Sequence, residues 1–310
     1  MKNDPVVGAL AQLDDFQPAT PEGRKIYSKA LAAKSNLVVA KAARRLGAAH
    51  GADYLPELTA ALARCLDRGS SFDKGCAASL AIVRTLVDLD YDVPDLFLRG
   101  MKHVQREPVW EGSVDTAPDL RAACAIGLVN TRHPHKLREL VAMLLDTERV
   151  ARAGAVRAIA AVGSESAALL LRYKALLGDP EADVLSECLE GLLEIGGDDA
   201  LPLARSLAFS DDPQVAEAAL LALGASRRAD AVAFLMERFD QVSHPDMKRC
   251  ILLSLASSRS ETAVEFMLKL IQDCSASVFK AAVEALSLHR RDGRIQQAIE
   301  EAMRARGHAG

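Results

Sequence analysis

Aromatic residues are scarce in this sequence. They make up 4% of its 310 residues, with a single tryptophan, whereas 50% of the residues are hydrophobic. A core must therefore consist mainly of alanine, leucine, valine and isoleucine, a composition that suits closely packed helices. Because valine and isoleucine do not cluster in alternating runs, we expect no strands.

The usual catalytic and cofactor-binding motifs are also missing. The six cysteines form no Cys-x-x-Cys pair, and there is no P-loop, dinucleotide-binding glycine pattern or Gly-x-Ser-x-Gly turn. We therefore predict a protein that is not an enzyme, with no catalytic residues, metal or cofactor. The cysteines are expected to be small buried thiols in a reducing cytoplasm.

Membrane and nucleic-acid functions have little support in the composition. No stretch of 18 uninterrupted apolar residues is present, and the N-terminus carries no cleavage signal, so we expect no membrane span. The net charge of -4 argues against non-specific nucleic-acid binding as the main task.

Two short motifs resemble metal sites but lack essential ligands. The Asp-x-Asp-x-Asp motif at 88–92 imitates the start of a calcium-binding EF-hand loop, yet Val93 replaces its glycine and Arg99 its glutamate. The His-Pro-His motif at 133–135 has no flanking cysteine or histidine cluster that would complete a zinc site. We predict an acidic turn and an inter-helix turn at these places.

A helical repeat is the main feature of the chain. Alanine-rich helical patterns end in glycine at 154–163 and 215–224, with a degenerate copy at 187–196. The closing glycines are 33 and 28 residues apart, a spacing typical of helical repeats. Aligning similar helices on their last patterned residue yields eight anchor residues, namely Gly47, Val87, Val129, Gly163, Gly196, Gly224, Ala256 and Ser287.

The repeat predicts a stack of about eight helical pairs, in which each helix that ends at an anchor residue (an anchored helix) is followed by a second helix. Five residues before each anchor stands a small or branched residue, which lets neighbouring helices approach closely. These residues are Ala42, Ile82, Cys124, Ala158, Gly191, Ala219, Ile251 and Ala282. From residue 73 onward we predict helices near 73–88, 94–105, 118–129, 134–145, 149–162, 165–177, 181–195, 198–208, 213–224, 229–240, 245–257, 260–272, 276–288 and 292–305.

Prolines and aspartates support the same helix starts. Pro118, Pro180, Pro213 and Pro245 each fall at the start of an anchored helix, where a missing N–H is tolerated. We expect a lead-in or cap at 1–19, one solenoid over 20–305 and a fraying tail at 306–310. Within the solenoid the repeats are irregular over 20–116 and regular over 117–305.

These patterns resemble the HEAT-repeat family, especially its short-repeat class related to phycobilin lyases. Residues 155–163, 215–224 and 278–286 carry the resemblance, which extends over 36–305. It implies an all-α, right-handed superhelical solenoid that serves as a scaffold and binds partners along its concave side. We take the anchored, alanine-rich helices to line that side. Deoxyhypusine hydroxylases are HEAT-like enzymes with His-Glu motifs, and they are excluded because no His-Glu pair occurs here.

The insertion between Arg106 and Pro118 interrupts the repeat and contains the only tryptophan, Trp110. Tryptophan is a frequent interface anchor, because it buries a large area at low entropic cost. Two interpretations stay open from the sequence: Trp110 contacts a partner, or it folds back over the irregular part of the stack.

Charge is unevenly distributed along the chain. Residues 161–240 contain 6 basic and 15 acidic side chains, a net charge of -9, whereas residues 1–160 contain 22 and 19, a net charge of +3. The candidate partner-binding residues are therefore basic in the first part, Lys41, Arg44, Arg45, Arg84, Arg121, Arg152 and Arg157, and acidic in the second, Glu187, Glu190 and Glu194, with Trp110 near the rim.

We predict a non-catalytic protein-interaction scaffold or adaptor whose partner is another protein. One alternative is a phycobilin-lyase-like role in attaching or removing a chromophore. A second, less favoured alternative is nucleic-acid binding through the basic part, which would show a steep salt dependence.

Overall fold

The computed structural model describes residues 4–196, 199–272, 274–289 and 292–307. The fold is all-α, as predicted, with one small two-stranded sheet. The chain divides into two compact units, unit 1 at Met1–Val162 and unit 2 at Gly163–Gly310. The predicted tail residues 308–310 lie outside the described part of the chain.

Unit 1 begins with a helix in the segment that the sequence left unpatterned. Its elements are α1 (Pro5–Asp15), α2 (Pro21–Leu31), α3 (Asn36–His50), α4 (Leu55–Arg68), α5 (Ala77–Asp88), α6 (Asp95–Met101), β1 (Arg106–Val109), β2 (Gly112–Asp115), α7 (Pro118–Asn130), α8 (Lys136–Met143) and α9 (Arg149–Val162).

Unit 2 contains helices only among its described elements. They are α10 (Glu165–Leu177), α11 (Ala182–Ile195), α12 (Ala200–Leu207), α13 (Pro213–Ala225), α14 (Ala229–Gln241), α15 (Pro245–Ser257), α16 (Glu261–Leu270), α17 (Ala276–Leu286) and α18 (Gly293–Gly307). The predicted bounds of α10 and α15 are confirmed to the residue. Pro213 and Pro245 occupy the first turn of their helices, and Asp212 Oδ1 accepts a hydrogen bond from the Gln214 N–H at 2.9 Å.

The anchored helices form one row in each unit. Helices α3, α5, α7 and α9 pack against one another in sequence in unit 1, as do α11, α13, α15 and α17 in unit 2. Apart from α3 and α9, each packs more extensively on the helix before it than on the helix after it. The structural pairs are therefore shifted by one helix from those that we assigned from the sequence.

Small residues set the spacing within each row. A Cβ added at Gly154 of α9 would lie 2.3 Å from the Cβ of Ala122 on α7, and one at Gly224 of α13 would lie 2.2 Å from the carbonyl oxygen of Ser254 on α15. The helices thus approach more closely at these points than a side chain would allow. The residue five positions before each anchor is buried in all eight repeats, which confirms the predicted register.

The expectation of no strands is wrong in the insertion. Strands β1 and β2 form an antiparallel hairpin in which Arg106 pairs with Asp115 and Val109 with Gly112. The turn consists of Trp110 and Glu111, followed by Gly112 at a φ of 95°. A left-handed glycine after such a turn is typical of short hairpins. The strands are four residues each, too short to produce a visible alternating pattern.

Candidate functional site

The basic residues predicted on the anchored helices of unit 1 fall into three groups. Lys41 and Arg45 contact the first helix, because Lys41 Nζ and Arg45 Nη1 lie 2.5 and 3.2 Å from the carboxylate of Asp14 on α1. Arg45 Nε also donates to the Tyr27 hydroxyl at 3.0 Å. The hydrogen bond from Lys41 is the main reason why the pKa of Asp14 is lowered. Two of the predicted basic side chains at the start of the row therefore share one carboxylate of α1.

Arg44 on α3 and Arg84 on α5 form the second group. Both side chains are exposed, and neither makes an ion pair or side-chain hydrogen bond with the described residues. Arg157 on α9 is exposed as well. Arg44 and Arg84 are therefore the predicted basic side chains of the row that make no ion pair within the described residues.

Arg121 and Arg152 form the third group, and the expectation that they face an open groove is wrong. They are 2% and 8% exposed. Arg121 binds Asp115 at 2.7 Å and Asp146 at 2.8 Å, and it also donates to the carbonyl oxygen of His103. Arg152 donates to the carbonyl oxygen of Asp146 at 3.0 Å. Both guanidinium groups hold the chain together internally, because a buried cation requires partners.

Trp110 does not fold back over the stack. It is 99% exposed at the tip of the β1–β2 hairpin. Val109 and Val114 beside it on the two strands are also exposed. The hairpin thus presents an apolar tip to solvent, which favours the interpretation of the insertion as a contact element.

Hydrogen bonds attach the base of this hairpin to the rest of unit 1. The Glu107 carboxylate accepts hydrogen bonds from the Gly75 N–H at 2.6 Å, from Gln105 Nε2 at 2.7 Å and from the Thr116 hydroxyl at 2.9 Å. The bond from Gly75 is the largest contribution to a lowered pKa of Glu107. Gln105 Nε2 also donates to the carbonyl oxygen of Asp73 at 2.8 Å.

On the other strand, the Asp115 carboxylate accepts hydrogen bonds from three donors. Burial opposes ionisation of its carboxyl group, but hydrogen bonds from the Ala117 N–H, from Arg121 and from the Gln105 N–H outweigh burial, so that its pKa is lowered. Arg121 also binds Asp146, so its two ion pairs join the hairpin, α7 and the loop before α9. The base is therefore fixed by charged groups that are shielded from water.

Asp73 stabilises the base of the hairpin, and the sequence analysis did not identify it. Its side chain is buried and accepts hydrogen bonds from the Ala78 and Ser79 N–H groups, both at 2.8 Å, and from Asn36 Nδ2 at 3.2 Å. It thereby caps α5, joins it to α3 and supports Gln105. Residues 73–76, predicted as helix, instead form a turn in which Gly75 and Cys76 have positive φ.

The predicted acidic residues lie together on α11 in unit 2. Glu187 and Glu190 are half-buried and Glu194 is exposed, at spacings that place all three on one helix face. Burial raises the pKa of Glu190, although the Ser186 hydroxyl donates to its carboxylate at 3.0 Å and partly opposes this effect. This face is acidic, but no ligand-binding geometry distinguishes it.

The two metal-like motifs lie in turns, as the sequence indicated. Asp90 has a φ of 51°, and the His133 and His135 rings stand edge to face with centroids 6.2 Å apart. Among the described residues no group of three or more histidine, cysteine, aspartate or glutamate side chains could hold a metal ion. No helix in the described part of the chain is both long and apolar enough to cross a membrane.

Residues 171–249 match the family model of HEAT repeats. The resemblance inferred from the sequence is therefore confirmed for these residues, which run from α10 to α15. A comparison with curated proteins returns no match.

Three solved structures match this chain at low similarity. The complex of CpcE and CpcF of phycocyanin lyase from Nostoc sp. PCC7120 is 15% identical, with 93% of this chain and 96% of that chain covered and a TM-score of 0.37. An engineered protein is 16% identical, with 97% and 90% covered and a TM-score of 0.39. Human deoxyhypusine hydroxylase in complex with glycerol is 15% identical, with 93% and 100% covered and a TM-score of 0.25. At TM-scores this low, none of these similarities supports an inference about the present chain.

Proposed function

We propose that this chain, of which residues 171–249 match the HEAT-repeat model, is a non-catalytic protein-binding scaffold. We further propose that the Trp110 hairpin of unit 1 contacts the partner. The observation that carries this proposal is that the only tryptophan is fully exposed at the tip of a hairpin whose base is held by hydrogen bonds.

The hairpin is built in a way that suits recognition. An isolated two-stranded hairpin is marginally stable in water, so this one depends on its base. Glu107 and Asp115 supply that support through the hydrogen bonds and the buried ion pair described above. Because the tip is already ordered, binding loses less conformational entropy than it would with a mobile loop. Burial of an exposed tryptophan by a partner contributes favourably to the free energy of binding, because its rings are removed from water.

Two exposed basic side chains of unit 1 indicate what the partner carries. Arg44 and Arg84 belong to the same unit and have no acidic partner within the described residues. A partner segment with acidic groups beside an apolar pocket for the tryptophan would complement both features. Arg121, Arg152, Lys41 and Arg45 do not contribute to this surface, because internal contacts occupy them.

Replacement of the tryptophan tests the proposal directly. We expect Trp110→Ala to weaken partner binding by roughly thirtyfold or more, the range of a buried aromatic interface anchor, without lowering the Tm. The measurement is quantitative mass spectrometry of proteins captured from the native host by the immobilised wild type and variants, followed by titration of the purified partner. Leu145→Ala, at another exposed apolar side chain of unit 1, is the matched control.

A second variant tests the contribution of the two arginines to partner binding. The double reversal Arg44→Glu and Arg84→Glu should weaken the same partner and reduce the salt dependence of its binding. If Trp110→Ala and the double reversal both leave the captured set unchanged, the hairpin surface does not bind the partner.

A further inference from the structure

Two arginines of unit 2 adopt a backbone conformation that normally favours glycine. In the turn after α11, Gly196 has a φ of 79°. In the corresponding turns after α13 and α15, Arg227 and Arg259 have φ values of 55° and 54°. Each arginine lies three residues beyond its anchor residue, Gly224 or Ala256. A side chain in this region costs folding free energy, which glycine avoids.

Both arginines line the same cleft. This cleft has a volume of about 990 Å³, and its lining also includes Leu288, His289 and Asp292. Leu288 is an exposed apolar side chain, and His289 Nε2 lies 2.9 Å from the carbonyl oxygen of Ala256. The cleft thus combines two cationic groups with an apolar wall.

Other charged groups around the cleft have partners. Arg294 Nη1 lies 2.5 Å from Glu261 and its Nη2 lies 3.6 Å from Asp292. Arg227 and Arg259 are exposed, and their guanidinium groups have no ion pair or hydrogen bond with the described residues. Among the residues that the structure describes, they are therefore the cations of this cleft that are available to a ligand.

The spacing of the two arginines indicates the shape of that ligand. Helices α13 and α15 pack side by side, and packed helices are separated by about 8–10 Å. A peptide in the polyproline II conformation advances about 3.1 Å per residue with three residues per turn, so acidic side chains three residues apart lie on one face and span a similar distance. Arginine also presents a planar fork that matches a carboxylate with two parallel hydrogen bonds.

We propose that this cleft binds an extended acidic peptide. Two carboxylates of the peptide, three residues apart, bind Arg227 and Arg259, and an apolar residue between them contacts Leu288. The strained turns are consistent with this role, because backbone strain that a glycine would relieve is retained where the side chain is needed. The site belongs to unit 2 and is independent of the Trp110 hairpin.

Glycine substitutions separate binding from folding. The probe is a fluorescein-labelled peptide with two aspartates three residues apart and a leucine between them, followed by fluorescence anisotropy at low ionic strength. Arg227→Gly and Arg259→Gly should each weaken its binding about tenfold, the loss of one charge-assisted contact, and the double variant should abolish it. Each variant should also raise the Tm, because glycine relieves the positive φ.

Three controls make the outcome specific. Lys280→Gln removes an exposed charge from α17 and should leave peptide binding unchanged, as should Trp110→Ala. An isomeric peptide with adjacent aspartates should bind less tightly than the spaced peptide. Unchanged affinity in the two glycine variants would overturn the proposal, as would equal binding of the two peptides. Displacement of the peptide by an equal concentration of inorganic phosphate would also overturn it, because the cleft would then be a simple anion site.

Discussion

At the scale of single residues, Arg121 shows how burial changes the role of a charge. Its side chain lies between Asp115 and Asp146 and donates to both carboxylates. Removing one member of such a group leaves the others charged in a shielded environment, which costs far more than the loss of a surface ion pair. We therefore assign Arg121 to the stability of the hairpin base and of α7.

Arg121→Leu should lower the free energy of unfolding by about 3–5 kcal/mol, because it leaves two carboxylates without their cation. Urea denaturation followed by circular dichroism measures this loss. Arg84→Leu makes the same change at an exposed site on the neighbouring helix and should alter stability by less than about 0.5 kcal/mol. Equal effects of the two substitutions would contradict the assignment of Arg121.

At the scale of elements, close approach of neighbouring helices determines the packing of each row. Gly224 of α13 lies against the backbone of Ser254 on α15, so the contact cannot be relieved by rotating a side chain. A Cβ added at Gly8 of α1 would have no neighbouring atom within 4 Å, so the same substitution there meets no neighbour. The two glycines therefore distinguish helix packing from helix propensity.

Gly224→Ala should destabilise the protein by about 1–3 kcal/mol, the usual cost of overpacking a core, since α13 and α15 must separate. Gly8→Ala should be neutral or stabilise by up to about 1 kcal/mol, because alanine favours a helix. Thermal and urea unfolding of both variants tests this contrast. A stabilising Gly224→Ala would show that the helices do not pack this closely.

At the scale of the whole molecule, a series of polar contacts between neighbouring elements runs through unit 1 from α3 to the start of α9. Asn36 at the start of α3 binds Asp73 before α5, and Gln105 binds Asp73 and Glu107. Arg121 continues the connections to Asp146, which precedes α9. Repeat arrays otherwise depend on contacts between adjacent units. We therefore expect unit 1 to open as one cooperative body.

Buried cysteines report this cooperativity. Burial raises the pKa of Cys65 to about 12 and that of Cys76 to about 11, and it raises the pKa of Cys124 as well. Under native conditions these three thiols should react with iodoacetamide at one common slow rate, because reaction requires unit 1 to open. Cys274, which is half-buried, should react faster. Mass spectrometry of quenched samples resolves each site, and widely different rates for the three thiols would show that unit 1 opens in parts.

The sequence by itself determined the period, the positions of most helices and the buried face of the repeat. These features depend on local chemistry: apolar spacing at helical period, proline at helix starts and small residues five positions before each anchor. Helix α9 was predicted to the residue, and Ala158 within it is fully buried. The sequence also identified the 106–118 insertion as the place where the repeat is interrupted.

Only the tertiary structure decided which charges face solvent. The sequence placed Arg84 and Arg121 on the same row of helices, yet one is exposed and the other buried. The difference arises because the partners of Arg121, Asp115 and Asp146, come from a hairpin and a loop that the helical pattern does not describe. The left-handed conformation of Arg227 was hidden for a similar reason. It is imposed by the turn that joins two packed helices and not by the residue itself.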